Sequence, residues 1–468
     1  MGVNVAEFGA RPVVAHVHGM LAAPKGTMHT TREFTADDAA EAAREAPQPG
    51  IVVIVRGDSA VLDPLPIGRG VLELGRGVAE ALADESISRR HASLAFDGRR
   101  WTVRDHGSRN GTLVDGERVV PERVVPEVPG RTHVLRLGRV LALLVADLRA
   151  FAVGVTVENG VVSGPTLTAA WREITAAARA EGPLHVVGES GSGKELAAAR
   201  FHADACGGTG PLVSVNCATI PQGLAERVLF GALRGAYSGA ERDTEGYVQA
   251  AEGGTLFLDE IAELDALVQA KLLRVLETRE VTPLGGVKAR RVTFRLCTAT
   301  HRDLRAAVTD DRFREDLYYR IGRPAVRIPP LRERLEEIPW IIAQEVARAK
   351  LAVTAHPSFV EACLLRRWPG NVRELLAEVR TAAQKAALGG RTSVGAADLA
   401  ERAGEELAGP ERAEGEGPGR REVEEALERA GGNVSAAARS LGVHRNQLRR
   451  LIARHRIDSQ RFAKSDDD

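Results

Sequence analysis

The stretch Leu-His-Val-Val-Gly-Glu-Ser-Gly-Ser-Gly-Lys-Glu at residues 184–195 decides the fold of the largest part of this chain. A short, mostly apolar run leads into a glycine-rich turn, and Lys194 then opens an alanine-rich segment that predicts a helix. Glycines tolerate positive φ, so successive backbone N–H groups can point into a concavity for phosphate oxygens. The helix N-terminus and the Lys194 ammonium add positive charge at the same place. The stretch therefore predicts a P-loop that binds a nucleoside triphosphate.

The predicted nucleotide-binding residues are Gly188, Glu189, Ser190, Gly191, Ser192, Gly193, Lys194 and Glu195. Glu195 departs from the general motif, because a Ser or Thr that binds Mg²⁺ usually follows the lysine. The alternative is an ordinary glycine turn between a strand and a helix, and the rest of the chain argues against it.

Length and composition limit the classes of protein to consider. The chain has 468 residues, which exceeds one hydrophobic core and suggests about three domains. Its 63 basic and 63 acidic residues give a formal charge of zero, so any contact with nucleic acid must be local. No apolar run approaches the ~20 residues of a membrane span, and the N-terminus lacks a signal-peptide core. The four cysteines lie far apart without metal-ligand spacing, so we expect a cytoplasmic protein with reduced thiols and no membrane contact.

Between residues 51 and 148, short β-type runs alternate with Gly, Asp and Pro, as expected of a small β-sandwich. Polar motifs separate these runs: Gly75-Arg76, then residues 88–91 (Ser-Arg-Arg-His), then residues 108–112 (Ser-Arg-Asn-Gly-Thr). In these motifs and their order, the chain resembles a forkhead-associated (FHA) domain. The resemblance implies a domain that binds a phosphothreonine peptide with the loops at one end. The implied phosphopeptide-binding residues are Arg76, Ser88, Arg89, Ser108 and Asn110.

The chemistry of these residues fits a phosphopeptide. Arg76 can pair with a phosphate bidentately, and Ser88 and Arg89 add hydrogen-bond donors. Asn110 would hold the peptide backbone, whereas His91 is expected to brace the loop. Two alternatives stay open: the Asn-Gly and Asp-Gly pairs are only hairpin turns, or the FHA fold is only a structural clasp on the neighbouring domain.

Residues 166–400 alternate strand and helix patterns, as in an α/β fold. The apolar run at residues 255–258 delivers Asp259 and Glu260 at its end. Asp259 can hold Mg²⁺, and Glu260 can polarise the attacking water. An acidic pair after a strand is often only a solvated surface feature, but the upstream P-loop favours the catalytic interpretation.

Further segments point to one family: residues 226–240 (ERVLFGALRGAYSGA), 312–320 (RFREDLYYR) and 368–374 (WPGNVRE). From about residue 184 to 379, the chain resembles the central AAA+ ATPase of bacterial enhancer-binding proteins, which activate RNA polymerase carrying the sigma-54 factor. The resemblance implies ATP and Mg²⁺ as cofactors and a homo-oligomeric, hexameric ring. It also explains Glu195, which belongs to this family's own pattern.

Site residues follow from the same resemblance. Asn216 would restrain Glu260, and Arg373 would sense nucleotide from the helical lid. Arg314 and Arg320 would reach the γ-phosphate in a neighbouring subunit, where an arginine finger can be worth about 10³–10⁵ in rate.

Two positions differ from the family. The loop that contacts sigma-54 reads GAFTGA in the family and here consists of Gly235, Ala236, Tyr237, Ser238, Gly239 and Ala240. At the sensor position, His301 stands where the family has Asn; its imidazole can also bond a phosphate or water, but its charge depends on pH. These differences motivate an alternative function: a DNA-bound ATPase regulator or repressor that no longer contacts sigma-54.

The C-terminal segment predicts a helix-turn-helix. Asn433 suits a helix N-cap, Gly442 permits a tight turn, and residues 444–454 form a second helix that buries Leu448, Leu451 and Ile452. The segment is similar to the Fis-type DNA-binding unit of enhancer-binding proteins. The implied DNA-binding residues are His444, Arg445, Asn446, Gln447, Arg449 and Arg450. The alternative is a plain helical hairpin with a solvated arginine face.

The predicted fold is therefore multidomain: an FHA-like β-sandwich, an α/β AAA+ P-loop ATPase with a helical lid, and an all-α helix-turn-helix. The predicted ranges are a weakly ordered leader (1–49), the FHA-like domain (50–150), a linker (151–165), the ATPase (166–400), a flexible linker (401–419), the helix-turn-helix (420–460) and a tail (461–468). The leading hypothesis is an ATP-driven regulator, bound to upstream DNA as dimers, that remodels the sigma-54 RNA polymerase holoenzyme. A phosphothreonine-containing protein would control it through the FHA domain.

Overall fold

The computed structural model describes residues 47–68, 70–221, 223–237, 240–406, 419–441, 448, 451–452, 455, 457 and 459–462. The internal contacts of the chain give one compact unit at residues 48–468; the other, Met1–Pro47, covers most of the predicted leader (1–49) and lies outside the described residues except for Pro47. Most of the second linker (407–418) and the end of the predicted tail (463–468) also lie outside them. Within the described part, no helix is long and apolar enough to cross a membrane.

The first domain is a sandwich of two antiparallel sheets, ordered β2-β1-β10-β9-β6-β7 and β3-β4-β5-β8. Its strands are β1 (Gly50–Arg56), β2 (Ser59–Pro66), β3 (Val71–Leu74), β4 (Ala92–Phe96), β5 (Arg100–Asp105), β6 (Thr112–Val114), β7 (Glu117–Arg118), β8 (Glu122–Pro126), β9 (His133–Leu137) and β10 (Val140–Val145). Trp101 is fully buried between the sheets, stacks on Phe96 and donates its indole N–H to Glu127. The FHA-like sandwich predicted from the sequence is confirmed.

The central strands of the larger sheet are buried on both faces. On β1, Ile51 and Val53 point into the sandwich, while Val52 and Ile54 join a second core on the outer face. Such two-sided burial requires a continuous apolar run in place of the alternation of a half-exposed strand. The outer face packs against the lid of the next domain.

The segment expected to be a linker forms a β-hairpin instead, with strands β11 (Thr156–Glu158) and β12 (Val161–Ser163). Asn159 and Gly160 form its turn, both with positive φ. The predicted linker is therefore ordered here as a hairpin with an Asn-Gly turn.

The ATPase domain is built on a five-stranded parallel sheet of order β14-β15-β18-β13-β19. Its strands are β13 (Leu184–Val187), β14 (Leu212–Asn216), β15 (Thr255–Asp259), β18 (Arg295–Thr300) and β19 (Ala325–Arg327), with small pairs β16 (Glu280–Val281) with β17 (Arg290–Arg291) and β20 (Thr354–Ala355) with β21 (Ser393–Val394). The parallel register places Asn216 beside Asp259. Since ligands of open α/β sheets bind at the carboxyl ends of the strands, this edge is where a site is expected.

Within the described residues, seven α-helices accompany this sheet and three more form the lid. They are α1 (Pro165–Arg179), α2 (Lys194–Cys206), α3 (Ala225–Phe230), α4 (Tyr247–Ala250), α5 (Ala266–Thr278), α6 (Leu304–Thr309) and α7 (Glu315–Ile321), then α8 (Ile338–Arg348), α9 (Pro357–Leu364) and α10 (Asn371–Leu388). Phe359 and Trp368 are fully buried in the lid core, which also contains Val52 and Ile54 of the sandwich. β2 contacts α8, and β10 contacts α9.

The C-terminal helices are α11 (Arg420–Arg429) and α12 (Val434–Ser440). Asn433 accepts a hydrogen bond from the backbone N–H of Ala436 at 3.1 Å, as an N-cap does. Leu448 and Leu451 are buried in a small core with the two helices, and Ile452 packs against it, as predicted.

Candidate nucleotide and phosphate sites

The P-loop forms a turn that only glycine accommodates. Gly191 and Gly193 have φ values of +71° and +112°. A Cβ on Gly191 would lie 2.3 Å from the carbonyl oxygen of Gly370 in the lid, so a side chain would push the lid away. Lys194 begins α2, is buried, and donates through Nζ to the Gly188 carbonyl at 3.1 Å.

A cavity of about 480 Å³ lies over this turn, within the range expected for small-molecule sites. The described residues lining it include the predicted Ser190, Gly191, Ser192, Gly193, Lys194, Glu195, Asn216, Asp259, Glu260 and Arg373. The hairpin contributes Gly160 and Val161, and α8 contributes Ile341 and Arg348. The segment predicted to be a linker is thus part of the cavity wall.

Of the acidic pair Asp259 and Glu260, the side chain of Glu260 makes more polar contacts. Its carboxylate accepts from Lys194 Nζ at 3.3 Å and from Thr300 Oγ1 at 3.3 Å, and lies 2.8 Å from Nδ1 of His301. Burial opposes its ionisation, but the charge of Lys194 and the hydrogen bond to His301 outweigh burial and lower the pKa of Glu260. Burial raises the pKa of Asp259 above its ordinary value, against the attraction of Lys194.

Asn216 lies in the cavity wall but does not hydrogen-bond to Glu260. Its Oδ1 accepts from the backbone N–H of Ala218 at 3.0 Å and caps a short helical turn. Among the described residues, the side chains that contact the Glu260 carboxylate are those of Lys194, Thr300 and His301, and a restraining role of Asn216 stays a prediction.

The lid is joined to the P-loop through Glu189. Arg332 binds the Glu189 carboxylate through two hydrogen bonds, of 2.8 and 2.6 Å, and Asn371 donates to it at 3.2 Å. The hydrogen bond from Arg332 lowers the pKa of Glu189. Arg373 donates to Ser190 Oγ at 3.3 Å. Sequence reasoning missed Arg332 and Asn371, although Asn371 lies within the quoted segment 368–374.

The two predicted arginine fingers lie outside the cavity of their own chain. Arg314 is engaged by Asp316 through two hydrogen bonds, of 3.0 and 2.6 Å. Arg320 donates to the Leu276 carbonyl at 3.2 Å.

The predicted sigma-54 contact loop is described in part, because Ser238 and Gly239 lie outside the described residues. The backbone closes between Gly235 N–H and the Ala240 carbonyl at 2.9 Å. The Arg227 guanidinium lies 4.9 Å from the centre of the Tyr237 ring.

The FHA motifs meet at one end of the sandwich. Arg76 N–H donates to the Ser88 carbonyl at 3.0 Å, and Arg109 N–H donates to the Ser88 hydroxyl at 3.2 Å. Asn110 donates through its amide to the Ser86 carbonyl at 2.7 Å. Of the predicted residues, Ser108 differs in orientation, because its hydroxyl donates to the Asp105 carboxylate at 2.6 Å.

His91 is buried beneath these loops and accepts from Ser88 N–H at 3.1 Å, so it braces the loop as expected. Burial lowers its pKa. The guanidinium groups of Arg76, Arg89 and Arg109 are exposed and have no ion-pair partner within the described part of the chain. Sequence reasoning missed Arg109, which adjoins the predicted Asn110.

The predicted DNA-binding residues His444, Arg445, Asn446, Gln447, Arg449 and Arg450 all lie outside the described residues.

Comparison with known families gives three matches in chain order. The FHA domain matches residues 67–128, the Sigma-54 interaction domain residues 161–327, and the Fis family of bacterial regulatory proteins residues 420–455. Together with the P-loop cavity, these define an AAA+ ATPase that is joined to an FHA domain and a DNA-binding helix-turn-helix.

Individual relatives agree with these matches. The nitric oxide reductase transcription regulator NorR2 of Cupriavidus necator is 36% identical over 400 residues, 77% of each chain. The transcriptional regulatory protein GlrR of Escherichia coli is 40% identical over 290 residues, 59% of this chain and 63% of that protein. The Nif-specific regulatory protein of Azotobacter vinelandii is 43% identical over 223 residues, 47% of this chain and 43% of that protein. The chain belongs to the sigma-54-dependent transcriptional regulators.

Among solved structures, NtrX from Brucella abortus in complex with ATP is similar, with a TM-score of 0.46 and 29% identity over 62% of this chain and 67% of that chain. The protein is an ATPase of this regulator family.

Proposed function

We propose that this protein binds upstream DNA through its C-terminal unit and uses ATP hydrolysis in an oligomeric ring to remodel the sigma-54 RNA polymerase holoenzyme for promoter opening. The cavity holds a P-loop lysine, an acidic pair and a lid arginine, while Arg314 and Arg320 of the same chain lie outside it. A second copy must supply the missing arginine, so assembly switches hydrolysis on. The resemblance favours a hexameric ring whose subunits bind DNA as dimers.

Asp259 would hold Mg²⁺ together with the phosphates of ATP. Among the described residues, no group of three or more His, Cys, Asp or Glu side chains could hold a metal on its own. This fits Mg²⁺, which keeps several waters and usually takes one or two carboxylates plus substrate phosphates. The ion would neutralise charge on the phosphates, while Glu260 accepts the proton of the attacking water and Lys194 binds phosphate oxygen.

Tyr237 and its loop would transmit the ATPase cycle to sigma-54. The change from Phe to Tyr keeps the ring, and the ring is already positioned by Arg227. The alternative, a DNA-bound regulator or repressor without sigma-54 contact, is favoured by the altered loop and by His301.

Promoter opening distinguishes the two functions. The full chain should be used, because removing the sandwich would expose the lid core that it covers. Permanganate footprinting on a sigma-54 promoter would compare ATP with a non-hydrolysable analogue, and Glu260→Gln would serve as the inactive control. Opening that requires hydrolysis supports the activator. ATPase activity without opening or sigma-54 binding supports the alternative.

We also propose that a phosphothreonine-containing protein regulates the ring through the FHA domain, with Arg76, Ser88, Arg89 and Asn110 holding the ligand. Arg109 is a further candidate. The three exposed guanidinium groups around Ser88 support a phosphate site, because arginine donors match phosphate oxygens.

The contact between sandwich and lid offers a physical route for this regulation. The outer face of β1 and β10 shares a core with α8, and α8 lines the nucleotide cavity through Ile341 and Arg348. Arg136 on β9 pairs with Glu361 on α9 at 2.6 Å. A ligand that shifts the FHA domain would therefore shift the lid, and through α8 the wall of the nucleotide cavity. If the FHA fold is only a clasp, phosphorylated and unphosphorylated peptides would bind equally weakly.

A further inference from the structure

Three arginines meet in a second pocket, which is separate from the nucleotide cavity. The pocket has a volume of about 320 Å³ and is lined by Arg279, Arg295 and Arg320. Pro183, just before β13, and Arg295, the first residue of β18, place it at the amino ends of the strands. It therefore lies at the edge of the sheet opposite the P-loop.

The charges of these three arginines are not neutralised within the described chain. Arg279 donates to the Phe294 carbonyl at 3.3 Å, and Arg320 donates to the Leu276 carbonyl at 3.2 Å. Arg295 donates to two further carbonyl groups, at 2.9 and 3.2 Å. Glu181 also lines the pocket, but no described carboxylate forms an ion pair with any of the three.

This arrangement concentrates positive charge. Burial, together with the charges of Arg320 and Arg295, lowers the pKa of Arg279. Arg314, the other predicted finger, is satisfied by Asp316 of its own chain. The two predicted fingers therefore differ in their surroundings. Arg320 belongs to an unneutralised cluster of arginines, whereas Arg314 is held in an ion pair.

Arg279 also has an unfavourable backbone. It caps α5 in the left-handed conformation, with φ of +58°, where glycine is the preferred residue. A glycine would therefore fit this backbone without strain.

We propose that the three-arginine pocket binds the terminal phosphate of ATP held by a second copy of this chain, and that Arg279 acts there beside Arg320. Arg279 and Arg320 are exposed and able to contact the phosphate, whereas Arg295 is fixed by backbone carbonyls and contributes its charge. Guanidinium groups offer paired donors that match phosphate oxygens. The inference rests on the proposed assembly of subunits, and it adds the residue that completes the site in trans.

The test is ATPase complementation between full-length variants. Arg279→Gly removes the guanidinium and relieves the strained backbone. We expect kcat to fall by about tenfold to a hundredfold, less than the ~10³–10⁵ of a lost finger because Arg320 remains. ATP binding by the variant should be unchanged. Mixing it with Lys194→Ala subunits, which do not hydrolyse ATP but carry an intact arginine pocket, should restore turnover.

Lys350→Gly is the matched control, because Lys350 is an exposed cation with φ of +53° that lines neither pocket. It should keep wild-type turnover. Wild-type kcat in Arg279→Gly, or a loss that mixed subunits do not rescue, would overturn the inference while leaving the proposed function intact. Full activity in Arg320→Ala would instead overturn the proposed assembly itself.

Discussion

Nδ1 of His301 lies 2.8 Å from Oε2 of Glu260, while the side chain of Asn216 is bonded to Ala218. Glu260 is itself in the left-handed region, with φ of +51°. Lys194, Thr300 and His301 contact its carboxylate, and the contact with His301 is the shortest of the three. A substitution that appears in the sequence as a departure at the sensor position thus places a donor directly on the proposed catalytic carboxylate.

From this contact we predict that His301→Ala lowers kcat by about tenfold with a smaller change in KM. Loss of one donor lets the carboxylate rotate, and a displaced general base loses rate more than substrate affinity. His301→Asn should recover most of the activity, because an amide can donate to the same oxygen. Steady-state ATPase kinetics provide the measurement. A variant that changes KM alone would indicate contact with ATP in place of Glu260.

Asn371 is predicted to hold the lid against the P-loop. Its buried amide accepts from Leu331 N–H at 2.8 Å and donates to the Ser190 carbonyl at 3.0 Å. Asn371→Ala leaves these groups unsatisfied, which costs about 1–3 kcal/mol. We expect a lower free energy of unfolding in urea and weaker ATP binding. Asn159→Ala is the control, because both Asn371 and Asn159 have a left-handed backbone but Asn159 is exposed, so ATP binding should hardly change.

Local pattern was enough to predict the sandwich, the P-loop and the acidic pair. Each of these depends on residues close together in sequence, where glycine placement and strand period carry the information. The contact between Asn371 and Glu189 joins residues 182 positions apart, and it could not be derived without the fold.

The sequence does contain a signal for the core that the sandwich and the lid share. Residues 51–55, Ile-Val-Val-Ile-Val, are apolar at every position, whereas a sheet with one solvated face alternates. Reading that run as a strand covered on both faces would have predicted a partner for the outer face. The identity of the partner would still have required the structure, because lid and sandwich residues are far apart in the chain.

The burial of His185 on β13, the strand that leads into the P-loop, predicts that the folded protein loses stability in acid. Burial lowers the pKa of His185 from 6.5 to about 4, and Thr298 Oγ1 lies 2.9 Å from its Nδ1. The unfolded chain binds a proton near pH 6.5 while the folded one resists until about pH 4, so stability falls as pH drops through this window. The loss from this group reaches about 3 kcal/mol. Urea unfolding at several pH values should show a shallower fall of the unfolding free energy in His185→Gln than in wild type.

The ion pair between Arg136 and Glu361 is predicted to stabilise the contact between sandwich and lid. Burial raises the pKa of Glu361, and Arg136 counteracts it. Arg136→Ala leaves a mostly buried carboxyl group without its cation, and we expect a loss of about 1–3 kcal/mol in unfolding free energy. A double-mutant cycle with Glu361→Gln should show coupling. Arg104→Ala breaks an exposed pair with Glu122 and should cost less than about 1 kcal/mol.

Arg76 is predicted to decide phosphopeptide binding. Its exposed guanidinium lies in the loop that is bonded to Ser88, so it can approach a phosphate without breaking an ion pair of the described chain. Loss of a charge-assisted bond costs about 1.5–3 kcal/mol, so Arg76→Ala should weaken a phosphothreonine peptide by about tenfold or more in calorimetric titration.

Arg90→Ala is the control for this titration, since Arg90 is an exposed arginine in the neighbouring segment that is not assigned to the site. It should keep wild-type affinity. The same peptide should change ATPase turnover in wild type, and the change should be smaller in Arg136→Ala, which lacks one ion pair between the sandwich and the lid. Peptide binding without any change in turnover would mean that the FHA domain recruits the protein to a partner and does not regulate the ATPase, because the lid contact would then carry no signal to the nucleotide.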